Sequence, residues 1–72
     1  ARWRAALTDV VSSLPARERA VYAARFAEGK TLEEAAQLLP FSLSTIRRTE
    51  VQIRTLLVDG MAARGFFKQR PD

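Results

Sequence analysis

The chain has 72 residues, 47% of them apolar, with 12 Lys and Arg against 8 Asp and Glu, a net charge of +4, and neither Cys nor His. That length suits one small domain, which no disulfide or thiolate zinc site can brace. The lack of His removes the commonest general base and metal ligand, and no apolar run approaches the ~20 residues of a membrane span.

The positive surplus is uneven. Residues 1–39 hold six basic and five acidic side chains, and residues 40–72 hold six and three. A basic small domain is attracted to polyanions, so the second half is the better place for a nucleic-acid surface. The first residue is Ala1 rather than Met. The chain is therefore expected to be a single domain, residues 1–72, from the C-terminal part of a longer, cytoplasmic protein.

Trp3, Leu7, Val10, Val11 and Leu14 recur at helical spacing and predict a first amphipathic helix over about residues 2–12. Pro15 ends that element and suits the first turn of the next. Residues 16–28 are Ala-rich, with Val21, Tyr22, Ala24 and Phe26 as apolar positions, and predict a second helix. Gly29 supplies its stop, because glycine tolerates positive φ. Thr31-Leu32-Glu33-Glu34 reads as a capping box opening a third helix over 32–39, whose apolar face is Leu32, Ala35, Ala36 and Leu39. Pro40 closes it. Ser42 caps a fourth helix that runs from Leu43 to at least Leu57, or on through Gly60 to Ala63. Phe66 and Phe67 then either fold back on the core or form a docking patch. The expected architecture is all-α, four helices with a helix-turn-helix.

The fourth helix carries the chemistry. At about 100° per residue, with Ile46 facing inward, Ile53 and Leu57 lie within about 20° of it, and Thr49, Glu50 and Leu56 fall on the same half. Ser44, Thr45, Arg47, Arg48, Val51, Gln52 and Thr55 point outward. Arg bonds guanine in a bidentate way, Gln pairs with adenine, and hydroxyls bond phosphates or bases. A short capped helix, a tight turn and a longer basic helix make a unit that enters the major groove by the N-terminal end of its second helix. A charge run alone is usually a solvated face; the capped pair makes the signal more specific. Glu50 faces inward and needs a partner, and Arg25 on the second helix is the candidate.

Leu14-Pro15-Ala16-Arg17-Glu18-Arg19, Arg25-Phe26, Glu28-Gly29-Lys30-Thr31-Leu32-Glu33-Glu34-Ala35-Ala36 and Ser44-Thr45-Ile46-Arg47-Arg48-Thr49-Glu50 together resemble region four of bacterial sigma factors, over residues 6–57. The resemblance implies a recognition helix that binds the −35 promoter element and an apolar groove that receives the flap tip of the RNA polymerase β subunit. It turns Ser44, Arg47, Arg48 and Gln52 toward DNA, and gives Thr31 and the amides beginning the third helix a phosphate to hold. With the caps and neighbouring hydroxyls, the expected DNA-binding residues are Thr31, Ser42, Ser44, Thr45, Arg47, Arg48 and Gln52. Leu43 and Ser44 stand where primary-type members carry Arg and Glu, and Gln52, Thr55 and Val58 stand where many carry basic residues that meet activators. The implied partners are double-stranded DNA, RNA polymerase through its β flap or another subunit, and an anti-sigma or activator protein; no membrane is implied.

Residues 14–57 also resemble, without gaps, the DNA-binding domain of LuxR-type regulators, through Arg17-Glu18, Ala27-Glu28-Gly29, Ser44-Thr45-Ile46 and Ile53. Those domains dimerise through their last helix. A further alternative is a sigma-like module that mainly binds protein. An enzyme is not expected: Glu33 and Glu34 diverge by about 100° on a helix, Ser12-Ser13 has no His to activate it, and the three glycines form no phosphate-cradling loop. No catalytic residue, metal ligand or cofactor is assigned.

Overall fold

A computed structural model describes residues 2–66. It contains α1 (Arg2–Ser12), α2 (Ala16–Tyr22), α3 (Leu32–Leu38) and α4 (Leu43–Ala63), and no strand among the described residues. α2 runs without a break into a π-helical turn, Ala23–Ala27. No helix among these residues is long and apolar enough to cross a membrane.

α1 buries Ala6 and Val10, and Leu14 is buried just beyond its end. The predicted stripe thus shifts by one turn's edge. Ala6 takes a core place that its size concealed, whereas Trp3 stays 49% exposed beneath the Arg4 guanidinium, 5.4 Å from the ring centroid. Pro15 holds an extended ψ of 159° before α2, and its carbonyl accepts the Arg19 amide at 2.9 Å.

The second predicted helix is present but not uniform. After Tyr22 the ladder widens, and the Glu28 amide reaches the Ala23 carbonyl five residues back, at 2.9 Å. Val21 and Ala24 are buried, while Phe26 is 55% exposed and lies against Tyr22 with centroids 5.4 Å apart. A single helix face cannot bury both Val21 and Phe26, which stand well apart around the axis. Gly29, at φ +69°, ends the turn; a Cβ there would meet nothing, so conformation alone calls for glycine.

α3 opens with the predicted capping box complete. The Glu34 amide donates to Thr31 Oγ1 at 3.1 Å, and the Thr31 amide donates to Glu34 Oε1 at 2.8 Å. It ends at Leu38, one residue earlier than expected, because Leu39 precedes Pro40 and is held extended at φ −104°, ψ 152°. Ser42 caps α4 by accepting the Thr45 amide at 3.2 Å.

α4 runs to the long end of its predicted range and touches every other helix. Under its first half lie Val21, Ala24, Ala35, Ile46 and Ile53, with Leu32, Leu39 and Phe41 packed around them. Under its second half lie Ala6, Val10 and Met61, with Leu7, Leu57 and Phe66 around them. Gly60 is the reason the second half can dock. A Cβ there would stand 2.7 Å from Val10 Cγ1, so α1 crosses α4 at the one position without a side chain. Gly65, at φ +85°, turns the chain back, and the Phe66 amide donates to the Met61 carbonyl at 3.0 Å. Phe66 therefore folds onto the core. Phe67 lies outside the described residues.

Candidate nucleic-acid interface

The first turns of α4 project from a frame held on two sides. Ile46, Thr49 and Ile53 are buried against the core, and the Thr49 hydroxyl donates to the Thr45 carbonyl at 2.7 Å, so its burial leaves no polar atom unpaired. Ser44, Arg47, Arg48, Val51, Gln52 and Thr55 are exposed, as the helical wheel predicts. Thr45 departs from it: the residue is half-buried, and its hydroxyl accepts from Ser42 at 3.1 Å. The α2 side of the helix covers it, and Thr45 serves the cap more than the open face.

Arg25 and Glu50 pair as the inward-facing carboxylate requires. Arg25 Nε donates to Glu50 Oε2, and a terminal guanidinium nitrogen of Arg25 donates to the Lys30 carbonyl. Both side chains are mostly buried, at 24% and 18% exposed. One guanidinium thus ties the π turn and the entry to α3 onto the middle of α4, which sets the angle between the two helices of the motif. The widened turn is where this fork is mounted.

A second carboxylate gives little sign of itself in the sequence. Glu18, in the first turn of α2, is 5% exposed and pairs with Arg17 at 3.3 Å. The two line a cleft of about 350 Å³ with Thr45, Arg48, Thr49 and Gln52. Arg17 is exposed on its rim, across from the outward face of α4. The only sequence signal is an acidic residue in a helix's first turn directly after Pro15, which local rules read as dipole complementarity rather than burial.

The predicted site residues fall into two groups. Ser42, Ser44, Thr45, Arg47, Arg48 and Gln52 share the start of α4. Thr31 stands apart, at the end of α3 away from the turn. Its oxygen and its amide are both used in the capping box, as is the Glu34 amide, which leaves the Leu32 and Glu33 amides for any ligand. The bonds from Thr31, first its amide and then its hydroxyl, hold the Glu34 carboxyl below its ordinary range, with a smaller push from Lys30. That charge opposes an anion at this helix start.

Fold and face together define a helix-turn-helix DNA-binding domain with a basic second helix. The sequence model described as Sigma-70, region 4 matches residues 10–57, more than half of the chain, and the chain belongs to that family. The family consists of DNA-binding domains of transcription initiation that work with RNA polymerase, not of enzymes. Among curated proteins and among solved structures, none matches the chain significantly.

Proposed function

We propose that this domain reads a −35-like promoter element with the N-terminal half of α4 while docked on bacterial RNA polymerase, among nucleoid DNA in the cytoplasm. The observation that carries the reading is the exposed row Ser44, Arg47, Arg48 and Gln52 at the capped start of a helix whose opposite face is fully buried. Arg47 and Arg48 have the reach and the fork geometry for guanine edges or phosphates, and Gln52 has the amide for adenine one turn deeper. Ser42 and Thr45 order the helix start through the bonds between them, and so hold the neighbouring Ser44, Arg47 and Arg48 toward the duplex. Arg17, across the cleft from Arg48 and Gln52, adds a phosphate partner from outside the helix-turn-helix. Thr31 contributes by ordering the start of α3, where the Leu32 and Glu33 amides remain for a phosphate.

The polymerase side of the reading rests on a groove lined by Leu7, Thr8, Val11, Ser12 and Tyr22, about 200 Å³ in volume. It lies between α1 and α2, away from the outward face of α4, and suits an apolar segment such as a flap tip. An anti-sigma protein covering the same groove would compete with polymerase.

The test is Arg47→Ala with Arg48→Ala. Removing a bidentate bond to a base edge weakens duplex binding by ~1–3 kcal/mol, and removing a phosphate partner reduces the salt slope by about one. Polymerase affinity stays unchanged. A double variant that binds duplex as the parent does would favour the reading in which the module binds protein alone.

A further inference from the structure

One apolar side chain interrupts the polar row at the start of α4. Leu43 is the first residue of the helix, directly after the Ser42 cap, and is 39% exposed. It stands about 60° around the axis from the buried Ile46, yet it joins neither core. Beside it on the helix surface are Ser44, the next residue, and Arg47, one turn later and about 40° around the axis, both exposed. The Ser42 hydroxyl accepts the Thr45 amide at 3.2 Å and so fixes the backbone that carries Leu43.

The chemistry that can cover this side chain is narrow. Leucine neither donates nor accepts a hydrogen bond, so it cannot pack on a phosphate oxygen or a polar base edge without leaving that group unpaired. The N-terminal end of a recognition helix enters the major groove, where the C5-methyl of thymine is the apolar group on offer. The Arg47 and Arg48 guanidiniums bring positive charge to the same end of the helix, where it draws a polyanion. The next large apolar side chain exposed along α4, Val51, lies about 12 Å further from the end that enters the groove.

We propose that Leu43 reads a thymine by packing on its C5-methyl, and so specifies one base pair of the recognised element. The proposal rests on the reading of α4 as the DNA-contacting helix and deepens it. Cytosine in the same place presents a bare C5–H, and a purine presents N7, an acceptor that leucine leaves unpaired. Leu43 therefore discriminates against both.

The test uses the 72-residue chain and duplexes that it enriches from a randomised pool at low salt, with binding read by fluorescence anisotropy. Each thymine of the enriched site is replaced in turn by deoxyuridine, which differs only in lacking the methyl. One replacement is expected to weaken binding about fourfold, through loss of a single buried methyl contact. Leu43→Ala, with folding checked by circular dichroism, should be indifferent to deoxyuridine at that place. In the parent complex, an intermolecular nuclear Overhauser contact should join the Leu43 methyls to that thymine methyl; its absence overturns the proposal even if the variant unfolds. Binding that ignores every replacement, yet falls with Arg47→Ala and Arg48→Ala, overturns the proposal and leaves the DNA reading standing. A methyl effect that survives in Leu43→Ala, or that Val51→Ala removes instead, overturns it equally. No duplex bound at low salt overturns the DNA reading, and this proposal with it.

Discussion

The core beneath the helix-turn-helix and the core beneath α1 hold the same long helix by different means. Val21, Ala35 and Ile46 are wholly buried in the first, which is further tied by two capped helix starts and by the Arg25–Glu50 pair. The second rests on Ala6, Val10 and Met61, which keep 8%, 3% and 7% of their surface, and on a close crossing that depends on Gly60. The recognition end of α4 is thus fixed redundantly, whereas its far end is held by fit alone. The lesson is that position matters more at the start of α4, where under the proposed function side chains must meet DNA to within a fraction of an ångström.

The largest effect is expected in the first core. Ile46→Ala removes a fully buried side chain, which costs ~2–5 kcal/mol, and chemical unfolding should show it together with loss of duplex binding. A cost under about 1 kcal/mol would mean that this core is not what holds α4. Gly60→Ala probes the second core. Helix propensity favours alanine by about 1 kcal/mol, but the new Cβ meets Val10, and overpacking of ~1–3 kcal/mol should prevail. Val10→Ala in the same chain should recover much of the loss, and duplex affinity should change little in either variant. Strong loss of DNA binding in Gly60→Ala would erase the distinction between the two ends.

Glu50→Gln keeps the shape and removes the charge that Arg25 meets. Because both side chains retain some solvent exposure, about 1–2 kcal/mol is expected in thermal melts. An unchanged melting temperature would show that packing alone sets the helix angle.

The smallest effect is the acid response of the α3 cap. Glu34 has its folded-state pKa lowered by Thr31, so its stabilising contribution is complete above the ordinary carboxylate pKa and is lost as pH falls through the lowered one. Thr31→Ala should flatten that part of the stability–pH curve; an identical curve would mean that the capping box adds nothing to stability.

Much of this is legible in the residues because it obeys local rules. The caps at Thr31 and Ser42, the stop at Gly29 and the inward Glu50 follow from positions three or four residues apart. What escapes is decided across the fold. The π turn after Tyr22 has no local signature and exists where Arg25 must span two elements. Gly60 reads locally as a weak point in a helix, yet it is the crossing with α1. Glu18 reads as a surface acid and is buried, because the start of α2 packs beside the first half of α4.

The central claim is that the exposed start of α4 meets DNA. Its most direct test is an amide-resonance titration of this domain with a short −35-like duplex at two salt concentrations. Shifts should concentrate at Ser42 through Arg48, Gln52 and Arg17, with smaller ones at Thr31, all weakening as salt rises. Shifts absent from α4 at low salt, or confined to the groove around Leu7 and Tyr22, would contradict it.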